Sequence, residues 1–414
     1  MNPDGNLAYI AQQARLLYAA RVAETNSTPN WWTAVILTAS SRRQADHYEW
    51  ELRRRQETGK LPAGVRYLVV PDMADRRIGS GAATLNALRE LARQSLFHTS
   101  STLAGVKLID WWSEQRVLLI HCGGDSRRLP QYSLSGKLFS AVPVVTPWGE
   151  PSTVFDETLA LSTAWAEHFP SGLLIGSGDV MLTFDAAAVD WTRPGVTGVA
   201  MLQPAETGAR HGVYVTDEQG RIYAFLQKPS WSELRAAGGL LGDDQVALDT
   251  GLLRFAPEAA ARLTRLAGVS EVDGRLVLGN GILDAASGAP PVIDLYQHFT
   301  MALTGQWKPR LQDAPALHAL ADELTGLPFS CSVVSGDFTP VSYTHLVIRI
   351  FGPTRPCSPC VSFGARPTRR FACRWSRSRP CCWWRRWKRR GPSISICETR
   401  WKLWSRHTRQ PTPA

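Results

Sequence analysis

The chain has 414 residues and a formal net charge of +10, a length that can hold two or three domains and a charge that first indicates a nucleic-acid partner. The charge is uneven, because residues 341–414 contain 15 Arg and 2 Lys but a single acidic residue, whereas residues 1–340 carry more acidic than basic side chains. The body is therefore not expected to bind nucleic acid. No apolar stretch is long enough to cross a bilayer and no signal peptide is recognisable, so we expect no membrane partner and a cytoplasmic location.

Cysteine use separates the same two regions. Six of the eight cysteines lie in residues 341–414, and only Cys122 and Cys331 belong to the body, as is typical of a reduced cytoplasmic enzyme. The tail is also rich in Arg, Trp and Pro without a persistent helical or strand period. Its first residues, Val341-Ser-Tyr-Thr-His-Leu346, resemble a translated sequencing-adapter fragment. We therefore expect an out-of-frame, disordered tail; a nucleic-acid-binding arm or a zinc site is the alternative.

The pattern of the body predicts an α/β domain. Up to Pro194, short apolar runs alternate with helical patterns, and this alternation is typical of a largely parallel sheet covered by helices. The predicted elements of this part are a helix over 5–24, a strand over 33–40, a helix over 42–58, a strand over 65–70, a helix from about Gly81, a strand over 117–120, a helix near 156–168 and a strand over 173–176.

After Pro194 the pattern changes to one that favours antiparallel strands. The predicted elements are strands over 196–202, 212–216 and 221–225, a hairpin turn at 217–220, a strand that ends at 249–251, helices over 256–266, 291–303 and 312–324, and loops near 204–210 and 284–291. The central sheet is therefore predicted to be mixed.

The most specific motif is a glycine-rich segment over residues 121–139, HCGGDSRRLPQYSLSGKLF, directly after a predicted buried strand. Its candidate residues are Gly123, Gly124, Ser126, Arg128 and Lys137. The glycine pair lets backbone N–H groups approach a phosphate, and the serine can donate a hydrogen bond. The arginine and the lysine supply positive charge where an attacked phosphorus and a leaving pyrophosphate gain negative charge. The segment is not a Walker A loop; a plain strand-to-helix turn is the structural alternative.

A second glycine-rich segment, residues 77–88 (RIGSGAATLNAL), opens a predicted helix after the strand 65–70. Its candidates are Gly79, Ser80, Gly81 and Thr84. A helix N-terminus behind glycines offers N–H groups and a positive end to a phosphate or a nucleotide base. The alternative is a helix start capped by the serine, with the glycines present for close packing.

Three further places carry candidate ligand contacts. Asp179 follows the strand 173–176 at the expected mouth of a ligand crevice, where a carboxylate can hold Mg²⁺ that bridges phosphate oxygens; a helix or turn cap is the alternative. Lys228 is a candidate for a sugar phosphate, with a solvated turn as the alternative. Asp249, Thr250 and Gly251 are candidates for sugar hydroxyls, with a strand-end turn as the alternative. His211 is expected to be structural or peripheral.

Taken together and in this order, the motifs resemble the pyrophosphorylase half of the fucokinase/fucose-1-phosphate guanylyltransferase family. The resemblance runs from about Trp32 to Phe338 and rests on TAVILTAS, RIGSGAATLNAL, CGGDSRRLPQYSLSGKLF, SGDV, RHGVYV, FLQKPS and LDTGLL. It implies a Rossmann-like sugar-nucleotidyltransferase fold with a mixed, largely parallel central sheet. It also implies the reaction GTP + L-fucose 1-phosphate → GDP-L-fucose + pyrophosphate, with Mg²⁺.

The resemblance also implies a division of the chain and roles for its residues. An N-terminal helix in 1–30 would precede a nucleotidyltransferase domain over 31–340, truncated at its C-terminal end, with the tail over 341–414. The implied roles are nucleotide contacts for Gly79, Ser80, Gly81, Gly123 and Gly124, catalytic cations for Arg128 and Lys137, a metal ligand for Asp179, and sugar-side contacts for Lys228 and 249–251. The family continues with a His-x-Gly-Thr element, a β-helical region and often a fused sugar kinase domain, which this chain is expected to lack.

Two other functions stay open at this point. One is an L-fucokinase-type sugar kinase fragment, because the Gly-Ser-Gly-Ala-Ala run of the segment 77–88 is similar to the phosphate loop of such kinases. The segment 121–139, with its arginine and lysine, has no place in that scheme. The other is a nucleotide-binding fragment without catalysis. Release of pyrophosphate, release of ADP, and binding without turnover distinguish the three.

Overall fold

The structure is a computed structural model that describes residues 3–24, 31–98, 106–122, 124, 132, 135–284, 289–310 and 312–341. Apart from Val341, the predicted tail lies outside these residues. The helices are α1 (Pro3–Ala23), α2 (Arg42–Glu57), α3 (Gly79–His98), α4 (Leu108–Ser113), α5 (Val154–His168), α6 (Ala205–Gly208), α7 (Trp231–Ala236), α8 (Pro257–Leu266), a π-helix (Leu295–Thr300) that continues into α9 (Met301–Leu303), and α10 (Pro315–Leu324).

The strands are β1 (Ala34–Ala39), β2 (Arg66–Pro71), β3 (Arg116–His121), β4 (Ala141–Val145), β5 (Pro151–Thr153), β6 (Gly172–Ser177), β7 (Val180–Phe184), β8 (Val196–Pro204), β9 (Gly212–Thr216), β10 (Ile222–Gln227), β11 (Gln245–Phe255), β12 (Val269–Val272), β13 (Arg275–Leu278), β14 (Phe329–Val334) and β15 (Gly336–Pro340). Short 3₁₀ turns span Met73–Asp75, Lys137–Phe139, Ala186–Ala188 and Gly242–Asp244.

Nine of the described strands form one mixed sheet. Its main order is β10-β9-β11-β6-β3-β1-β2, and β8 joins it by pairing with β11 and β14. The pairs of β1 with β2, β1 with β3, β3 with β6 and β8 with β14 are parallel, whereas β11 is antiparallel to β6, β8 and β9, and β9 to β10. Six of these nine strands thus have a parallel neighbour, which confirms the α/β fold with a mixed, largely parallel sheet.

The sheet separates two apolar cores, because successive side chains of a strand point to opposite faces. Ala34 and Ile36 of β1 pack in the core that also contains buried residues of α3, α4 and α8. Val35 and Leu37 pack in the core that contains buried residues of α1, α2 and α5. Strands buried on both faces read as continuous apolar runs, which is why their positions follow from the sequence.

The prediction that a strand ends at 249–251 is wrong. β11 continues to Phe255, and its register against β8 shifts between Asp249 and Leu252. Gly251 has φ +77, a conformation that glycine adopts without the steric cost of a side chain. The Asp-Thr-Gly sequence therefore forms a β-bulge inside a long strand, and this bulge bends the strand at the edge of the candidate site.

Smaller differences concern element starts. The expected loop at 204–210 contains the short helix α6. The helix predicted over 291–303 begins only at Leu295, because the side chain of Asp294 caps the first turn by accepting from the N–H groups of the next residues. The helix predicted from 312 begins at Pro315, a residue favoured in the first turn because it lacks an N–H.

Candidate functional site

Three neighbouring parallel strands end side by side at the candidate site. The register places Thr38 of β1 opposite His121 of β3, and His121 opposite Ser177 of β6. The segment 77–88 opens α3 just after β2, and the segment 121–139 begins at the last residue of β3. Ligands of α/β folds bind at the carboxyl ends of the parallel strands. Both glycine-rich segments thus start at the edge of the sheet where a ligand is expected.

Lys137 and Asp179, predicted separately, lie in contact. Nζ of Lys137 is 3.0 Å from Oδ2 of Asp179, and the hydroxyl of Ser177 donates to Oδ1 at 2.7 Å. Lys137 starts a 3₁₀ turn whose other two side chains are buried in the core, so the backbone of the lysine is anchored. The N–H of Val341 donates to the carbonyl of Asp179 at 2.6 Å. The site thus contains a fixed cation beside a half-exposed carboxylate.

Much of the segment 121–139 lies outside the described residues. This holds for Gly123, Ser126 and Arg128, whose predicted contacts stay predictions. Gly124 is described, and a Cβ added to it would meet no described atom within 4 Å. None of the described residues would therefore block the approach of a ligand to the backbone at this glycine.

The glycines that open α3 are needed for close packing. The N–H of Ala82 donates to the carbonyl of Ile293 at 3.0 Å, so the chain before the π-helix lies against the first turn of α3. A Cβ on Gly79, which has φ +83, would lie 2.8 Å from the carbonyl carbon of Ile293, and one on Gly81 would lie equally close to the Ile293 side chain. The packing alternative for these glycines is thus satisfied; their nucleotide contacts stay predictions.

His121 connects the two glycine-rich segments, although sequence reasoning did not select it as a site residue. Its ring nitrogens lie 3.3 Å from the hydroxyl of Thr38 and 3.0 Å from that of Thr84. Burial lowers the pKa of His121 to about 4, so the ring is neutral at neutral pH. Thr84 is fully buried, and its hydroxyl donates to the carbonyl of Ser80. The signal in the sequence was the place of the histidine, last in a buried strand and directly before the glycine pair.

Asp249 and Thr250 use their side chains within the protein. Asp249 is buried and accepts hydrogen bonds from the hydroxyl of Tyr214 and the N–H of Gly251, both at 2.8 Å. Burial raises the pKa of Asp249 to about 6, and these hydrogen bonds oppose the rise. The hydroxyl of Thr250 donates to the carbonyl of Val199 at 2.6 Å. Their predicted sugar contacts are not tested by this geometry.

Tyr296, which sequence reasoning missed, lies beside the bulge. A Cβ on Gly251 would be 3.2 Å from the Tyr296 hydroxyl oxygen and 3.7 Å from Cβ of Ser177. Burial, together with the charges of Asp249, Asp179 and Asp294, raises the pKa of Tyr296, so the phenol is a neutral donor. Its ring stacks on a phenylalanine of β10, and its hydroxyl has no hydrogen-bond partner within the described part of the chain. The tyrosine thus offers a fixed hydroxyl to a ligand.

Lys228 and Asp179 both lie near His211. The N–H of Lys228 donates to the carbonyl of His211 at 2.8 Å, and Lys228 is exposed with φ +51. The His211 ring meets the edge of Phe338 with the centroids 5.1 Å apart. Burial lowers the pKa of His211, as do Lys228 and a neighbouring arginine, while Asp179 opposes them. Lys228 and Asp179 are therefore both within electrostatic range of one imidazole.

A magnesium ion at Asp179 stays a prediction, and substrate phosphates would have to help to hold it. Among the described residues, no group of three or more His, Cys, Asp or Glu side chains could hold a metal by itself. Mg²⁺ commonly uses one or two carboxylates and completes its shell with phosphate oxygens and waters. The half-exposed carboxylate of Asp179 has the chemistry for such a role.

A groove of about 550 Å³ lies elsewhere, along the outer edge of β2 between α2 and α3. Its walls include Glu49, Arg53 and Glu90, and no predicted site residue lines it. The candidate site is therefore the cluster around Lys137 and Asp179, and not this groove. Within the described residues, every helix is too short or too polar to cross a bilayer.

Known proteins with similar sequences include one family model and several curated relatives. Residues 109–313 match the model of the Fucose pyrophosphorylase domain. The Bifunctional fucokinase/GDP-fucose pyrophosphorylase of Arabidopsis thaliana is 33% identical over 256 residues, which are 57% of this chain and 24% of that protein. The Fucose-1-phosphate guanylyltransferase of Mus musculus is 32% identical over 240 residues, 53% of this chain and 37% of that protein. The chain thus spans less than two fifths of the length of either of these curated relatives.

A solved structure, HddC from Yersinia pseudotuberculosis, is 7% identical with a TM-score of 0.32, and the match covers 79% of this chain and 77% of that one. A similarity of this size carries no argument about function. The region matched by the family model contains Lys137, Asp179, Lys228 and the bulge at 249–251, and it begins after the segment 77–88. The match confirms the resemblance, because residues 109–313 are similar to the fucose pyrophosphorylase domain.

Proposed function

We propose that the chain is a sugar-1-phosphate nucleotidyltransferase that transfers GMP from GTP to L-fucose 1-phosphate and releases pyrophosphate. The observation that carries the proposal is the contact between Lys137 and Asp179 at the carboxyl end of the parallel strands, inside the matched region. A cation and a metal-binding carboxylate at one place are what phosphoryl chemistry needs. The choice of GTP as the nucleotide and of L-fucose 1-phosphate as the sugar rests on the similarity to the fucose-1-phosphate guanylyltransferases.

The reaction needs no nucleophilic side chain. A phosphate oxygen of the sugar phosphate attacks the α-phosphorus of GTP, and the bond from that phosphorus to the bridging oxygen of the leaving pyrophosphate breaks. The protein contributes positioning and stabilisation of negative charge. Lys137 and Arg128 would supply positive charge, and Asp179 would hold the Mg²⁺. When bound, Mg²⁺ neutralises charge on the phosphates.

The other predicted contacts divide between the two substrates. The nucleotide would lie against the two glycine-rich segments, at Gly79, Ser80, Gly81, Thr84, Gly123, Gly124 and Ser126. The sugar phosphate would lie toward Lys228, the bulge at 249–251 and Tyr296. A cytoplasmic location is part of the proposal, and the free, buried thiols of Cys122 and Cys331 support it.

The experiment that tests this function supplies GTP, L-fucose 1-phosphate and Mg²⁺ and measures pyrophosphate and GDP-L-fucose. We expect both products in equal amounts, and fewer with other nucleoside triphosphates or other sugar 1-phosphates. The same protein with ATP and L-fucose tests the kinase alternative through ADP. Binding of GTP without either product would contradict the transferase and favour a fragment that binds nucleotide without catalysis.

Replacing Lys137 with Met tests the residue that carries the proposal. The loss of one charge contact to the transition state should lower turnover on the order of a hundredfold, which corresponds to about 3 kcal/mol. GTP affinity should fall less, because backbone N–H groups remain. Lys60→Met is a matched control, since Lys60 also pairs with a carboxylate, Glu150 at 2.6 Å, and its side chain is 16% exposed against 18% for Lys137. Equal losses in the two variants would contradict the assignment.

A further inference from the structure

A chain of hydrogen bonds joins the two glycine-rich segments, and His121 stands at its centre. Nδ1 of the imidazole lies 3.3 Å from Oγ1 of Thr38, at the end of β1, and Nε2 lies 3.0 Å from Oγ1 of Thr84, in α3. His121 itself ends β3 and precedes the glycine pair. One ring, itself at the end of β3, therefore contacts the end of β1 and the helix that the other segment opens.

The remaining partners of the two threonines fix the position of the ring hydrogen. The N–H of Cys122 donates to Oγ1 of Thr38 at 3.3 Å, and the hydroxyl of Thr84 donates to the carbonyl of Ser80 at 3.0 Å. The Thr38 hydroxyl can then donate to Nδ1, while Oγ1 of Thr84 can accept from Nε2. A neutral ring protonated on Nε2 satisfies all four groups. The other tautomer would take the Thr84 hydrogen from the Ser80 carbonyl.

The same chain continues to the segment that carries Tyr296. The hydroxyl of Ser80 accepts from the N–H of Leu295 at 2.9 Å and donates to Asp294 at 3.4 Å. Asp294 in turn accepts from the N–H of Tyr296 at 2.8 Å, at the start of the π-helix. A displacement of His121 would therefore shift the start of α3 and, through Ser80, the start of the π-helix.

We propose that His121 is a positioning residue, a neutral imidazole with its hydrogen on Nε2, which holds the start of α3 in place relative to the ends of β1 and β3. The first turn of α3 then keeps its N–H groups at the carboxyl end of β3, where the nucleotide would lie. The inference rests on the proposed function, because that function makes a nucleotide the ligand at this end of the sheet. His121 does not act on the substrate itself, since protein hydroxyls occupy both of its ring nitrogens.

Two substitutions separate the two halves of the hydrogen-bond chain. In His121→Gln the amide nitrogen can reach the position of Nε2 and keep the bond to Thr84. In His121→Asn the shorter amide can replace Nδ1 toward Thr38 but cannot reach Thr84. We expect the Gln variant to keep the GTP affinity of the wild type and the Asn variant to bind GTP about tenfold more weakly, the loss of one hydrogen bond. In the Asn variant, turnover at saturating GTP should change less than the KM for GTP.

Equal GTP affinities of the two folded variants would overturn the inference, because a general structural role predicts no difference between them. Thermal unfolding of both variants checks that they fold. NMR of ¹⁵N-histidine-labelled wild-type protein gives a measurement without any variant, and a ring protonated on Nδ1, or exchanging between tautomers, would also overturn it. Intact GTP binding without pyrophosphate formation would contradict the proposed function and leave the role of His121 unaffected.

Discussion

At the scale of single residues, Asp249 links stability to pH. Its pKa is raised by burial from 3.8 to about 6, so between these values the folded state binds a proton that the unfolded state has lost. Stability contributed by this residue is therefore full at acidic pH and falls as the pH rises toward and through 6. The contribution of His121 to stability depends on pH in the opposite direction. Because its pKa is lowered to about 4, the unfolded state binds the proton first as the pH falls, and this contribution is lost at acidic pH.

Replacing Asp249 with Asn should stabilise the protein at pH 7.5 and change little at pH 4. The amide oxygen can still accept from the hydroxyl of Tyr214 and the N–H of Gly251, and no charge is buried. The gain at pH 7.5 should be on the order of 1–3 kcal/mol, measured by thermal or denaturant unfolding at both pH values. The pH-dependent contribution of His121 to the free energy of unfolding is the same in both proteins and cancels in the difference. Exposed Asp322, changed to Asn, is the control, and a stabilisation equal at both pH values would contradict the reasoning.

Replacing Tyr296 with Phe removes only a hydroxyl, since the ring can keep its stacking on β10. If this hydroxyl binds the sugar phosphate, KM for that substrate should rise about tenfold, as expected for one lost hydrogen bond, while the Kd for GTP stays unchanged. Steady-state kinetics with each substrate varied in turn measures both. Tyr223→Phe, at an exposed tyrosine away from the site, is the control. An increase in the Kd for GTP alone would place Tyr296 on the nucleotide side.

The sequence alone does not predict contacts between residues that are far apart in the chain, for a physical reason. Lys137 and Asp179 were predicted because each stands in a motif with its own local chemistry. His121 and Tyr296 act through partners far away in the chain, such as Thr84 and Gly251, and no local pattern marks such a pair. The histidine could have been singled out only by its position at the end of a buried strand.

At the scale of elements, the start of α3 depends on the close approach of Ile293. Gly79→Ala should destabilise the protein more than Gly326→Ala, although the two glycines have nearly the same φ, +83 and +85. Both changes have the left-handed strain of about 1–2 kcal/mol, and only the Cβ at Gly79 overlaps the backbone of Ile293, which should add a further 1–3 kcal/mol or so. Urea unfolding of the two variants measures the difference. Equal losses would mean that Ile293 moves away at little cost.

The elements that the sequence predicts well are those with a strong local period. The strands β1, β3 and β6 are continuous apolar runs, and α2, α5 and α8 fall within two residues of their predicted bounds at each end. The ribbons β4–β5 and β7–β15 were missed because they are short and partly exposed. β15 pairs with β7 across more than a hundred residues of chain, and local patterns carry no information about such pairing. The bulge in β11 was read as a turn because Asp-Thr-Gly is a sequence that turns also use.

At the scale of the whole molecule, the last described strand packs beside the candidate site. β15 pairs with β7, the strand that follows Asp179, and the N–H of Val341 donates to the Asp179 carbonyl. Phe338 and Val341 are buried in the same core as α1 and α5. The last described residues thus support the turn that holds the predicted metal ligand, so the position at which the chain is shortened should matter greatly.

The predicted tail over 341–414 includes Val341, which is buried and donates to Asp179, so its first residue belongs to the fold. Two truncations test this dependence together with the prediction that the rest of the tail, residues 342–414, adds nothing to the fold. A chain that ends after Val341 keeps β15 and should unfold at the temperature of the full chain, with unchanged GTP affinity. A chain that ends after residue 335 loses β15, including buried Phe338, and should be destabilised by at least about 3 kcal/mol, because such a loss leaves an unfilled space in the core. It should also lose turnover, since Asp179 loses the support of β15. Loss of cooperative unfolding in the chain that ends after Val341 would show that the tail is part of the folded protein. Unchanged stability of the chain that ends after residue 335 would show that β15 does not position Asp179.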